Sequence, residues 1–150
     1  MVILDYKLAE KYIRKIIKNS SNILSDVVNF LQKNFNHYNW VGIYIVKDYN
    51  LVLGPWSGKQ ATEHIKIPIG KGICGLAAAS GKTEVVDDVN ADNRYLSCFI
   101  STKSEIVVPI KKGMKILGEI DIDSDKKNAF SKKDIIFLEN IADMLSEHIY

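Results

Sequence analysis

The segment Gly118-Glu119-Ile120-Asp121-Ile122-Asp123-Ser124 alternates acidic side chains with isoleucines over residues 118–124. Successive side chains of a β-strand point to opposite faces, so this pattern predicts a strand with three carboxylates on one face. Carboxylates packed together in a pocket repel one another unless a cation lies beside them. The segment therefore indicates a sheet that carries either a site for a cationic group or, alternatively, a solvated strand face near an edge.

Helical periodicity is found towards both ends of the chain. Apolar residues recur at helical spacing from Leu8 to Ile17 and again from Ile23 to Phe35, with Ser20-Ser21-Asn22 between the two runs. The tetrapeptide Ser131-Lys132-Lys133-Asp134 has the form of a capping box, and apolar residues at helical spacing follow it up to Ile149. The pattern predicts a pair of N-terminal helices and one C-terminal helix.

The region between these helices has the composition of strands and turns. Residues 40–46 and 51–53 are rich in β-branched and aromatic side chains and are typical of a hairpin. Further strands are predicted over residues 65–69, 84–86, 105–110 and 114–122, and a short helix within residues 70–80. We therefore expect an α+β fold, a mostly antiparallel central sheet flanked by N- and C-terminal helices, in a single domain over residues 1–150.

Composition limits the class of protein. A chain of 150 residues with 47% hydrophobic residues can bury a sizeable core, and a net charge of +2 is too small to indicate a nucleic-acid partner. No apolar run approaches the roughly 20 residues that span a bilayer, and no signal-peptide pattern is visible, so we expect a cytoplasmic protein that does not bind membranes. Histidines and cysteines lack metal-ligand spacing, so the sequence predicts no metal site and no cofactor.

Cys74 and Cys98 are the two cysteines of the chain. Cys74 follows the glycine-containing segment 69–73 and is expected near the N-terminus of the short helix, whereas Cys98 lies in a polar, irregular stretch. In a reducing compartment such cysteines are more often free, catalytic or redox-active than structural. The alternative is that one or both are small buried hydrophobes.

Five phrases, in their order along nearly the whole chain, closely resemble the free methionine-R-sulfoxide reductases, a family of stand-alone GAF domains. The phrases are Asn39-Trp40-Val41-Gly42-Ile43-Tyr44, Leu51-Val52-Leu53-Gly54-Pro55, Ile67-Pro68-Ile69-Gly70-Lys71-Gly72-Ile73-Cys74-Gly75, Ser104-Glu105-Ile106-Val107-Val108-Pro109, and Gly118 with Asp121-Ile122-Asp123-Ser124. The resemblance implies a GAF-like fold whose ligand pocket is the active site, and reduction of the R epimer of free methionine sulfoxide to methionine.

The resemblance also implies roles for the two thiols. Cys98 matches the nucleophilic cysteine of the family, and Cys74 matches a cysteine that resolves the oxidised nucleophile into a disulfide. The family commonly has a third cysteine before the Ile-Pro strand, but residues 60–64 contain no sulfur here. Cys74 is therefore the resolving thiol within this chain, and a dithiol reductant such as thioredoxin is expected to reduce the disulfide.

Attack on a sulfoxide sulfur requires a proton donor for the departing oxygen, and Glu105 and Asp123 are the candidates. We assign the substrate ammonium to Asp121, together with these two carboxylates. Trp40 and Tyr44 are four apart on one strand and are expected to hold the methylsulfinyl end between aromatic walls, although plain core packing is an alternative.

Glu119 occupies a position that is usually apolar in the family, so we expect it at the surface. Two other functions stay open from the sequence: a GAF sensor that binds a small metabolite without turnover, and a cysteine redox switch. A homodimer is expected, because the terminal helices can expose an apolar seam.

Overall fold

The computed structural model describes residues 5–95, 99 and 101–149 and has the predicted α+β fold. Its helices and strands are α1 (Tyr6–Asn19), α2 (Ile23–Asn34), β1 (Trp40–Lys47), β2 (Asn50–Ser57), β3 (Lys66–Pro68), α3 (Gly72–Ser80), β4 (Glu84–Val86), β5 (Ser104–Lys112), β6 (Lys115–Ser124) and α4 (Lys132–Leu145), with 3-10 turns at Val89–Ala91 and Ser146–His148. Every helix and strand predicted from the sequence is present. Among the described residues, no helix is both long and apolar enough to cross a bilayer.

The six strands form one antiparallel sheet in the order β3-β2-β1-β6-β5-β4. β1 and β6 are its two central strands, and their register pairs Trp40 with Asp123 and Tyr44 with Glu119. Directly paired residues point to the same face of a sheet. The register therefore places the aromatic residues of β1 and the acidic residues of β6 on one common face.

The opposite face of the sheet carries the main hydrophobic core. Ile120 and Ile122 of β6 are almost completely buried there against α1, α2 and α4, together with alternate residues of β1 and β5. Full burial of one such side chain stabilises the fold by about 1.5–3 kcal/mol. The isoleucines of the acidic segment thus anchor β6 in the core, which holds its carboxylates in place on the other face.

Helix α3 covers the acidic face of the sheet. Gly70 and Gly72 have φ values of +98° and +68°, a left-handed backbone that glycine adopts without strain, and they turn the chain from β3 into the helix. A Cβ atom on Gly75 would lie 2.7 Å from the carbonyl oxygen of Pro68, so glycine is needed for the close approach of α3 to β3. Cys74 lies in the first turn of α3, as predicted, and is buried against the sheet.

A hydrogen-bond network around Asp134 joins α4 to α1 and to the segment before β1. Its Oδ1 accepts hydrogen bonds from the hydroxyl groups of Tyr6 (2.9 Å) and Tyr38 (2.6 Å) and contacts Nε2 of His37 at 2.8 Å. Its Oδ2 accepts from the backbone N–H and hydroxyl of Ser131, which completes the predicted capping box. Burial raises the pKa of Asp134, but the hydrogen bonds from His37, Tyr38 and Ser131 outweigh burial and lower it to about 2.

We predict that Asp134→Ala lowers the free energy of unfolding by about 3 kcal/mol, because it leaves the buried Tyr38 hydroxyl without its acceptor. Denaturant unfolding at neutral pH measures the loss. The matched control is Asp143→Ala, an exposed position of the same helix, which should change the free energy by less than about 0.5 kcal/mol. Equal losses in the two variants would contradict the role of the network.

The same network gives a pH dependence. The pKa of Asp134 is lower in the folded protein (about 2) than its ordinary value of 3.8, so its contribution is present above pH 3.8 and is lost as the pH falls towards 2. The stability difference between the wild type and Asp134→Ala should therefore shrink over that interval. A difference that stays constant down to pH 2 would contradict the assignment.

Candidate active site

Four carboxylates are buried on the face of the sheet that α3 covers. Glu119, Asp121 and Asp123 follow one another along β6, and Glu105 lies directly opposite Asp123 on β5. Each of the four residues is at most 2% exposed to solvent. We call Glu105, Glu119, Asp121 and Asp123 the carboxylate row.

Several carboxylate oxygens of the row lack a hydrogen-bond or ion-pair partner among the described residues. Both carboxylate oxygens of Glu119, Oδ1 of Asp121 and Oδ1 of Asp123 have no hydrogen-bond partner within the described part of the chain. The Thr102 hydroxyl donates to Oδ2 of Asp123 at 3.2 Å. Over the same residues, no lysine or arginine forms an ion pair with these three side chains. Because a buried carboxylate without a partner costs several kcal/mol, the row favours either bound protons or a bound cation.

The pKa values of the row reflect its burial. Burial raises the pKa of Glu119 and of Asp123 well above their ordinary values, and the charge of Asp121 is the second cause for both. Burial also raises the pKa of Asp121, while hydrogen bonding with Glu105 opposes the increase. These groups therefore hold protons more tightly than exposed carboxyls do.

The thiol of Cys74 faces the row. Its Sγ and one carboxylate oxygen each of Glu105 and Asp121 all lie within 4.8 Å of one another. Burial raises the pKa of Cys74 well above its ordinary value, and the charges of Asp121 and Glu119 raise it further. The thiol favours the ionised form of Glu119, but it is a weak donor and does not make up for the hydrogen bonds that the Glu119 oxygens lack.

A cavity of about 300 Å³ lies at the Asp123 end of the row. Trp40 and Phe99 form apolar parts of its wall, and Thr102 and Asp123 supply polar groups. Concave sites with apolar walls and a few polar groups are typical of small-molecule binding. The cavity therefore gives a small ligand access to the end of the carboxylate row.

The indole ring of Trp40 is held rigidly at this cavity. A Cβ atom on Gly42 or Gly58 would lie 2.4 or 2.5 Å from an atom of the ring, so the ring occupies space that only glycine leaves open. The indole N–H donates to the carbonyl oxygen of Gln60 at 3.1 Å, and the ring of Phe99 lies 5.7 Å away, centroid to centroid. Trp40 thus presents a fixed aromatic surface to a ligand.

The predicted site residues are only partly brought together. Cys74, Glu105, Asp121 and Asp123 form one buried group, and Trp40 lies at the cavity. Tyr44 is on the same sheet face but belongs to the apolar cluster around Cys74, where its hydroxyl donates to the carbonyl oxygen of His64 at 2.7 Å.

Cys98, the predicted nucleophile, lies outside the residues that the structure describes. Its role stays a prediction.

The expectation that Glu119 lies at the surface is wrong, because Glu119 is 0% exposed. Glu119 shares the alternation of Asp121 and Asp123, and this alternation alone predicts that the three side chains lie on one face. Sequence reasoning also missed Phe99 and Thr102, since neither belongs to a periodic segment or a recognisable motif.

Comparison with known proteins agrees with this geometry. The GAF domain family matches residues 19–149. The chain is 35% identical over 111 residues to the free methionine-R-sulfoxide reductase of Escherichia coli (strain K12), which is 74% of this chain and 66% of that protein.

Two solved structures resemble this chain over most of their length. One is a type II free methionine-R-sulfoxide reductase from Thermoplasma acidophilum, with a TM-score of 0.81, 36% identity and coverage of 94% of both chains. The other is a free methionine-R-sulfoxide reductase from Neisseria meningitidis in complex with its substrate, with a TM-score of 0.89, 32% identity and coverage of 96% of this chain and 87% of that one. The chain therefore belongs to the GAF domain family and, within it, to the free methionine-R-sulfoxide reductases.

Proposed function

We propose that the protein reduces free L-methionine-(R)-sulfoxide to methionine by thiol chemistry. The observation that carries this proposal is the carboxylate row. It is buried, no lysine or arginine of the described residues forms an ion pair with Glu119, Asp121 or Asp123, and its Asp123 end reaches a cavity with an aromatic wall. A free amino acid supplies the missing ammonium group, whereas a methionine sulfoxide within a polypeptide does not. Membership of the reductase family supports the same substrate.

In the proposed complex, the substrate ammonium lies against Asp121, with Asp123 and Glu105 beside it. The unpaired Oδ1 atoms of Asp121 and Asp123 accept its hydrogen bonds, which removes much of the cost of burying them. The methylsulfinyl end packs against the indole of Trp40. Tyr44 lies on the same face of the sheet, opposite Glu119, and packs in the apolar cluster around Cys74.

In the proposed reaction, the Cys98 thiolate attacks the sulfoxide sulfur. Asp123 or Glu105, whichever carboxyl keeps its proton beside the bound ammonium, donates that proton to the sulfoxide oxygen. Burial raises the pKa of Asp123, which favours retention of its proton. The S–O bond and the transient Sγ–S bond then break as the oxygen passes to Cys98. Methionine leaves as the thioether, and Cys98 carries the oxygen as a sulfenic acid. Phe99, the next residue in sequence, lines the cavity, which is consistent with attack from that side.

The cycle closes through Cys74. Its thiol attacks the sulfenic acid of Cys98, a disulfide forms, and the hydroxyl leaves as water. A thioredoxin-type dithiol then reduces the disulfide and returns both thiols.

We further propose that the chain acts as a single domain over residues 1–150, in the cytoplasm, as a homodimer joined through the terminal helices. Exposed apolar residues on α1 and α4 support that interface, namely Leu8, Tyr12 and Ile136.

We predict that the wild type reduces free L-methionine-(R)-sulfoxide with a thioredoxin-type reductant and that Cys98→Ser does not. Cys74→Ser should release about one methionine per subunit and then stall, because its sulfenic acid has no partner; small thiols should restore turnover. Quantifying methionine over time measures both effects. Absence of turnover in every sample would overturn the proposal and favour a ligand sensor.

We predict that Asp121→Asn lowers kcat/KM by about 100-fold, or about 2.7 kcal/mol, mainly through a higher KM, because the ammonium loses an ionic partner. The same variant should unfold at a higher temperature, because the raised pKa of Asp121 costs stability above the ordinary pKa of the group. Asp48→Asn, in the exposed β1–β2 turn, is the matched control. Unchanged kcat/KM in Asp121→Asn would contradict the substrate pose.

We also predict that the rate of disulfide formation rises steeply with pH. Because the pKa of Cys74 lies well above 9.0, its thiolate fraction rises about tenfold per pH unit at lower pH. In single turnovers quenched with a thiol-blocking reagent, the rate of disulfide formation should rise without a plateau between about pH 7 and 9. A plateau near neutral pH would show that Cys74 is not the thiol that reacts.

A further inference from the structure

One side chain of the carboxylate row, Glu119, is buried without a role in binding the substrate. It is 0% exposed, and both of its carboxylate oxygens lack a hydrogen-bond partner within the described residues. The proposed reaction assigns it no task. Burial of this carboxylate costs free energy. A substrate ammonium bound at Asp121 and Asp123 does not offset that cost.

The immediate neighbours of Glu119 are metal-binding groups. Asp121 is the next residue of β6 on the same face, and Cys74 lies above them on α3. The Cys74 Sγ and carboxylate oxygens of Glu105 and Asp121 lie within 4.8 Å of one another, so three elements bring three ligand atoms together. Glu119 lies outside this group of three. It is the next acidic side chain along the same face of β6, completely buried, and its carboxylate oxygens lack a hydrogen-bond partner among the described residues.

The donor set selects a particular kind of cation. Carboxylates alone suit Mg²⁺ or Ca²⁺, whereas a thiolate beside carboxylates suits Zn²⁺, which binds cysteine sulfur at about 2.3 Å and carboxylate oxygen at about 2.0–2.2 Å. In a tetrahedral site these lengths separate the donor atoms by about 3.3–3.8 Å. The separations among the Cys74 sulfur and the Glu105 and Asp121 oxygens, at most 4.8 Å, exceed this range by about 1 Å, which small side-chain rotations remove. Glu119 must rotate further to reach the ion, because it lies outside this group.

We propose that the reduced protein binds one Zn²⁺ through Cys74, Glu105, Glu119 and Asp121. The ion supplies the positive charge that the carboxylate row lacks and uses the oxygens of Glu119 that are otherwise unpaired. Sequence spacing gave no sign of this site, because its ligands come from α3, β5 and β6. On the proposed function, zinc also occupies the resolving thiol, so the zinc-bound protein cannot form the Cys74–Cys98 disulfide.

Binding is tested without turnover, so its outcome does not depend on the proposed reaction. The starting protein is Cys98→Ser, in which Cys74 is the sole thiol. After reduction and removal of metals, it is titrated with Zn²⁺ against a chromophoric chelator. A parallel titration with Cd²⁺ records the ultraviolet charge-transfer band of a cadmium–thiolate bond.

The expected result is one Zn²⁺ per chain and a cadmium–thiolate band. Adding Cys74→Ser should abolish the band, and adding Glu119→Gln, which keeps the side-chain shape, should raise the Kd for Zn²⁺ at least about tenfold. Asp121→Asn should raise it similarly, and Asp48→Asn, in the exposed turn, should leave it unchanged. Circular dichroism establishes that each variant is folded.

Three results overturn the proposal. They are the absence of Zn²⁺ binding, a band that persists without Cys74, and a zinc affinity in folded Glu119→Gln or Asp121→Asn equal to that of the parent Cys98→Ser protein.

Discussion

Three carboxylates are buried side by side on β6, and four of their six oxygens lack a hydrogen-bond partner among the described residues. Glu119, Asp121 and Asp123 lie within one strand, at most 2% exposed, where an isolated charge costs several kcal/mol. The opposite face of the same strand offsets this cost, because Ile120 and Ile122 are buried in the main core. One alternating segment therefore anchors β6 in the sheet. At the same time it holds acidic groups away from the water that would stabilise their charge.

The protonation of the site follows from this arrangement. Burial and mutual repulsion raise the pKa values of the carboxyls, and the same charges raise the pKa of the Cys74 thiol beside them. A cation that enters the row lowers all of these pKa values together. The carboxylate row thus couples the charge of a ligand to the reactivity of the thiol, because a cation in the row also favours the Cys74 thiolate. When an ammonium binds, the carboxyls release protons, and they take protons up again when it leaves.

The sequence predicted the fold and the acidic face because both depend on local periodicity. Alternation over residues 118–124 is sufficient to place the carboxylates together, and helical spacing at both ends identified the helices. Other features depend on contacts between distant residues. The cavity brings Phe99 and Thr102 to Trp40, and the unusual thiol of Cys74 results from packing α3 against β6. For Glu119 the alternation of its own strand predicts the observed face, whereas the apolar family position does not indicate an exposed side chain.

We propose that a free amino acid supplies the positive charge that Glu119, Asp121 and Asp123 lack among the described residues. The most direct test is calorimetry of substrate binding to Cys98→Ser, which cannot turn over, in buffers that differ in ionisation enthalpy. Free L-methionine-(R)-sulfoxide should bind with release of protons from the row, and N-acetyl-methionine sulfoxide, which lacks the ammonium, should not bind. Equal binding of the two compounds, or binding of the free amino acid without proton release, would contradict the account.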